Sequence, residues 1–275
     1  MKNGRQLAGE GVAPFDTSIP HVARVYDYLL GGKDNFAADR AAAEQFIAEY
    51  PDARAVVRAQ RAFLARAVGF LVAGAGVRQF LDVGTGLPSV GNTHEVAQQA
   101  APECRVVYVD NDPIVLSHAR SLLTSSPQGA TAYIDADLRD TGQILAGAAG
   151  VLDFGQPVAV MLLGILHSIT DRDDPAAIVT RLLAAVPSGS YLAVAHPASD
   201  VVVVSGQPVS KSLRRYNQQA AVPIIPRSHA EVSGFFAGLD LVEPGVVQVH
   251  RWRTPTGDPG RHRDLADYGG VGRKP

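Results

Sequence analysis

Three acidic residues fall at the ends of three predicted strands between Phe80 and Asp137, and that pattern constrains this chain more than any other. Phe80-Leu81-Asp82-Val83-Gly84-Thr85-Gly86 reads as a short apolar strand that breaks into a glycine turn. Arg105 to Asp110 reads as a second strand closing on a carboxylate, and Thr131 to Asp137 as a weaker third. Helix-like stretches separate them, which is the signature of an α/β chain with a mostly parallel sheet. In such sheets ligands bind beyond the carboxyl ends of the strands, where the strand order reverses. Asp82, Asp110 and Asp137 are therefore expected to converge on one crevice.

The glycine turn departs from the dinucleotide fingerprint. G-x-G-x-x-G needs a third glycine, but Gly84 and Gly86 are followed by Pro88 and Ser89. The next helix starts late, at Asn92-Thr93-His94-Glu95, with Asn92 and Glu95 spaced as a capping box. A delayed helix carries its amide donors away from where a pyrophosphate would lie. What remains is a turn open to close backbone approach, with Asp110 placed to accept from two ribose hydroxyls. Asp137, next to Leu138, is placed either to accept from an exocyclic adenine amine or to cap a turn and start a helix over 138–145. An adenosine without phosphates suits this set better than NAD does.

The remaining pattern divides the chain into four parts. Residues 1–18 lack periodicity and are expected to be flexible. Residues 19–74 read as a helical cap, with Val22, Val25, Tyr26 and Leu29 at three- and four-residue spacing before Gly31-Gly32. Residues 75–253 carry the alternating elements, including Val158 to Leu163 as a strand buried on both faces and Ser190 to Ala195 as a fifth. Leu241-Val242 and Val246 to Trp252 are expected to form a closing antiparallel hairpin. Residues 254–275, rich in Gly, Pro and Arg, are expected to lack fixed structure.

Several strings here resemble one bacterial family, the S-adenosyl methyltransferases once catalogued as a domain of unknown function. They are Arg24 to Phe36, Gly84 to Pro88, Asn92 to Glu95 and Tyr108 to Pro113, within a match spanning about Ile19 to Arg253. The chain departs from the family at Gln60-Arg61, where Asn-Arg is usual. The resemblance implies a Rossmann-like class I methyltransferase fold: a mostly parallel seven-stranded sheet, helices on both faces and an N-terminal helical extension. It implies S-adenosyl-L-methionine (SAM) as cofactor. The backbone at Gly84 and Gly86 would approach it, with Asp82 near its amino-acid end. Asp110 and Asn111 would lie at the ribose, and Asp137 and Leu138 at the adenine. The acceptor does not follow from the resemblance.

Candidates for acceptor chemistry come from two places. In the N-terminal segment Tyr26, Tyr28, Lys33 and Asn35 flank a double glycine, a pattern suited to a lid with polar tips. His167 follows the fourth strand, His196 ends the fifth and His94 begins the helix after the first, all near the crevice. A histidine near its ordinary pKa suits a general base, and His167 ranks first because the residue after the fourth strand faces the transferable methyl in this architecture; for each histidine taken singly, a structural role is the stronger expectation.

Composition narrows the alternatives. A net charge of −2 and the lack of basic runs argue against a nucleic-acid or membrane partner. One cysteine, Cys104, excludes an internal disulfide, and no tight histidine spacing suggests a metal site. With 46% apolar residues and no membrane-length apolar run, a cytoplasmic enzyme acting on a small-molecule acceptor is expected, as monomer or homodimer. The competing readings are a SAM-binding sensor without turnover and an NAD-dependent oxidoreductase.

Overall fold

The computed structural model describes residues 16–122, 125–202, 210–218, 220, 222–255 and 263–275. Residues 1–15 of the stretch expected to be flexible, and 256–262 of the expected tail, lie outside them.

Three helices come first: α1 (Val22–Leu30), α2 (Ala37–Glu49) and α3 (Ala53–Gly69), the last continuing into a π turn at Phe70–Gly74. The alternating part follows, with β1 (Gln79–Val83), α4 (Thr93–Ala100), β2 (Arg105–Asp110), α5 (Pro113–Leu122), β3 (Ala130–Asp135) and α6 (Thr141–Ala148). It continues with β4 (Ala159–Leu163), α7 (Pro175–Ala184), β5 (Tyr191–Pro197), α8 (Ser210–Asn217), α9 (His229–Gly234), β6 (Asp240–Leu241), β7 (Val247–Gln248) and β8 (Asp267–Arg273).

The sheet runs β3-β2-β1-β4-β5-β8-β6, with β7 also pairing β8. β1 to β5 are parallel, while β8 runs antiparallel to β5. Strand order reverses beside β1, so β1 and β4 flank the switch point where a crevice opens. Alternate residues feed two layers. Leu81, Val83, Val107, Val109 and Leu162 pack against Ile144, Ile178 and Leu182 of α6 and α7. Phe80, Val106, Tyr108 and Met161 face Phe63 of α3, Ala97 of α4 and Trp252. Each fully buried aliphatic side chain of this kind contributes about 1.5–3 kcal/mol. Val25, Leu29, Ala43 and Tyr50 join Leu213 and Tyr216 of α8 in a third cluster.

The C-terminal segment corrects the sequence reading. Leu241 and Val247 do not pair as a hairpin; both β6 and β7 pair with β8, which the glycine-rich composition had assigned to unstructured chain. The count is thus eight strands rather than seven. The glycines are there because bulky side chains lie on the strand. A Cβ at Gly269 would come within 2.8 Å of Val249 Cγ1, and one at Gly272 within 2.9 Å of Phe236 Cδ1. Among the described residues, no helix is long and apolar enough to cross a membrane.

Candidate active site

A cavity of about 280 Å³ opens at the carboxyl ends of β1, β2 and β4, beneath α1 and α3. Its first wall is the turn after β1. Gly84 and Gly86 have φ of +78° and +65°, a region that favours glycine. A Cβ at Gly84 would overlap the Ile165 side chain, whereas at Gly86 it would meet open space. The Gly84 amide donates to Val109 O at 2.8 Å, and that of Gly86 to Asp110 Oδ2 at 2.8 Å. Asp110 Oδ1 accepts from the Asp112 amide at 3.0 Å. Burial raises the Asp110 pKa despite these two bonds.

Asp82 sits deeper. Burial pushes its carboxyl up to about 6, against the pull of the Thr93 hydroxyl, which donates to Oδ2 at 2.6 Å. Thr93 is positioned by the Asn92–Glu95 capping box that the spacing predicts at the start of α4. Asp137 is held differently. Arg139 donates to both its oxygens, at 2.8 and 2.6 Å, and Asn111 donates to Oδ2 at 3.1 Å. The Arg139 bond keeps the Asp137 pKa below the ordinary carboxylate value. Asp82, Gly84, Gly86, Asp110, Asn111, Asp137 and Leu138 all line the one cavity.

The remaining candidates separate. His167 lines the cavity from a short 3-10 turn after β4, and neither ring nitrogen has a hydrogen-bond partner among the described residues. Burial, then the charges of His196 and Arg227, push it down to about 3. The ordinary pKa expected of a base is therefore lost, and the ring is a neutral acceptor or donor at pH 7. His94 and His196 do not line the cavity. His94 bonds the Tyr108 hydroxyl through Nδ1 and its amide, both at 2.8 Å. His196 is fully buried, between Pro197 O at Nδ1 and Arg227 at Nε2, both at 3.0 Å.

In the helical segment only Tyr26 of the four candidates reaches the cavity. Tyr28 donates to Glu44 and Lys33 is exposed. Asn35 donates to Asp27 Oδ2 at 2.8 Å, so the loop wraps the end of α1 instead of the crevice. Gly32 is needed there because a Cβ would collide with the Asp27 carboxylate.

Some lining residues carried no usable sequence signal. His21 precedes α1, and its Nδ1 lies 2.9 Å from Asp112 Oδ2, fastening the cap to the loop after β2. Asp267 of β8 comes from a segment far from the acid-ended strands, whereas Gln60 and Arg61 of α3, which also line the cavity, stand where the chain departs from the family's usual Asn-Arg. Arg139 was readable in principle, standing two residues after Asp137.

Comparison with known proteins settles the lineage. The sequence model of the S-adenosyl methyltransferases matches residues 9–275. The chain belongs to that family. A DUF574 family protein from Streptomyces avermitilis MA-4680 is 46% identical, with 94% of this chain and 99% of that one covered at a TM-score of 0.89. A protein from Thermobifida fusca YX is 40% identical over 94% and 96%, with a TM-score of 0.83. An O-methyltransferase family protein from Burkholderia thailandensis, 17% identical over 81% and 60% with a TM-score of 0.50, shares the fold. No functionally curated protein matches the sequence. Membership makes SAM the cofactor and methyl transfer the reaction class.

Proposed function

We propose that this methyltransferase binds SAM across the glycine turn and methylates a small or medium-sized molecule beneath the helical cap. The observation that carries this reading is the meeting of the Gly84–Gly86 turn, Asp110 and Asp137 on one cavity that extends to apolar and aromatic side chains of the helical cap. The site suits the group chemically. Gly86 leaves open space where any other residue would place a Cβ, and the acceptor-only carboxylates fit hydroxyl and amine donors. Asp110 would hold the ribose hydroxyls, with Asn111 beside it. Asp137 and Leu138 would border the adenine, and Asp82, through Thr93, would shape the amino-acid end.

When bound, SAM supplies a methyl group already activated by its sulfonium, so positioning and desolvation are what the protein must add. Tyr26, Leu29 and Ile165 exclude water from the apolar part of the cavity. Neutral His167 can orient an acceptor by a hydrogen bond, but with its pKa near 3 it does not hold a proton at pH 7. A crystal structure with S-adenosylhomocysteine tests the arrangement. The ribose should lie within hydrogen-bond distance of Asp110 and the adenine beside Leu138. Ligand density elsewhere contradicts it.

A further inference from the structure

Asp267 is a buried carboxyl that the proposed cofactor contacts leave unused. It is the first residue of β8, paired with Pro197 at the carboxyl end of β5. Because β8 is antiparallel, its N-terminal end lies at the same sheet edge as the crevice. The residue is fully buried, lines the cavity, and neither of its oxygens has a hydrogen-bond partner among the described residues. Burial drives its pKa up to about 8, against the opposing pull of the Gln60 side chain of α3.

Its surroundings are aromatic. Tyr26 from α1 and Tyr50 after α2 both feel its charge, which adds to the effect of burial in raising their own pKa values. Phe46 packs edge-on to Tyr50 at 5.8 Å, and Tyr216 lies 6.4 Å from Phe46. All four rings line the cavity. The nearby guanidinium groups are committed elsewhere: Arg61 to the carbonyls of Val90 and Gly91, Arg263 to Asp52, and Arg24 to Asp39. A buried carboxyl without a counter-charge is costly, and native structures rarely leave one unexplained. A carboxyl among aromatic faces is the chemistry that recognises an ammonium group.

We propose that Asp267, with the rings of Tyr26 and Tyr50, binds an ammonium group, so that the methyl acceptor is an apolar amine whose remainder lies towards Phe46 and Tyr216. This rests on the methyltransferase reading of the same cavity. Binding of the cation displaces the carboxyl proton of Asp267 to water and leaves a carboxylate against the ammonium group. Transfer of one proton from nitrogen to a carboxylate oxygen then breaks an N–H bond, forms an O–H bond and frees the nitrogen lone pair.

The test is calorimetric titration of 2-phenylethylamine, 2-phenylethanol and 3-phenylpropionate into wild type and Asp267→Asn at pH 7, each with and without saturating S-adenosylhomocysteine. The amine should bind wild type at least tenfold more tightly than either analogue, and Asp267→Asn should erase that preference while retaining S-adenosylhomocysteine. An alcohol bound as tightly, a preferred carboxylate, no amine binding, or an unchanged preference in the variant overturns the proposal. The wild-type comparison stands even where the variant fails to fold. Absence of S-adenosylhomocysteine binding in wild type would instead overturn the cofactor reading, with the titrations in free protein still deciding on the amine.

Discussion

The amide of Gly86 donates to Asp110 Oδ2 at 2.8 Å, so the turn after β1 and the end of β2 are fixed to one another before any ligand arrives. The carboxylate that would hold a ribose is thereby oriented by the same backbone the ligand must approach.

The two glycines of that turn should respond differently to alanine. At Gly86 the added Cβ meets open space, leaving only the left-handed conformation, a cost of about 1 kcal/mol. At Gly84 the overlap with Ile165 comes on top, for about 3 kcal/mol in all. Urea unfolding of both variants checks the order, and a Gly86→Ala variant less stable than Gly84→Ala contradicts it.

Asp39 anchors the cap. Fully buried, it accepts from the amides of His21 and Phe36 at 2.9 and 2.8 Å and from Arg24 Nε at 2.8 Å. Arg24→Met strands this charge and should cost about 3 kcal/mol. A loss below about 1 kcal/mol in denaturant unfolding would show that the pair does not hold α1 to α2.

His167 should make the protein acid-sensitive. Its folded pKa of about 3 lies below the ordinary 6.5, so between those values the unfolded chain binds a proton that the folded one refuses. Stability from this residue is present above pH 6.5 and lost as pH falls towards 3. His167→Gln should therefore lose less stability than wild type between pH 6.5 and 4. Parallel curves would mean that the ring is hydrated.

Deleting 264–275 should abolish folding, because β8 lies between β5 and both β6 and β7. A soluble truncated chain with cooperative thermal unfolding would contradict the placement of this strand.

The parallel strands were legible because β2 and β4 are runs of buried aliphatic residues, and the acids at or just beyond the ends of β1, β2 and β3 mark the crevice by topology alone. β8 was not legible, since Gly269, Gly270 and Gly272 resemble a linker until Val249, Phe63, Val246 and Phe236 are seen packed on them. Asp267 was hidden with it. The histidines show a different limit. Sequence places His94 and His196 next to the crevice, but their rings are bonded to Tyr108 and Arg227 across long sequence separations. Tyr28, Lys33 and Asn35 read as a lid because Gly31-Gly32 signals backbone freedom. That freedom is used locally: Gly31, at φ +90°, ends α1 with its amide on Tyr28 O, and the loop folds onto Asp27.

Titration calorimetry of SAM and S-adenosylhomocysteine into wild type and Asp110→Ala, with NADH as control, decides whether the crevice is a SAM site. Wild type should bind both sulfur ligands and not NADH, and the variant should lose at least tenfold in affinity while remaining folded. Undiminished binding by Asp110→Ala, or NADH binding in place of SAM, would contradict that assignment.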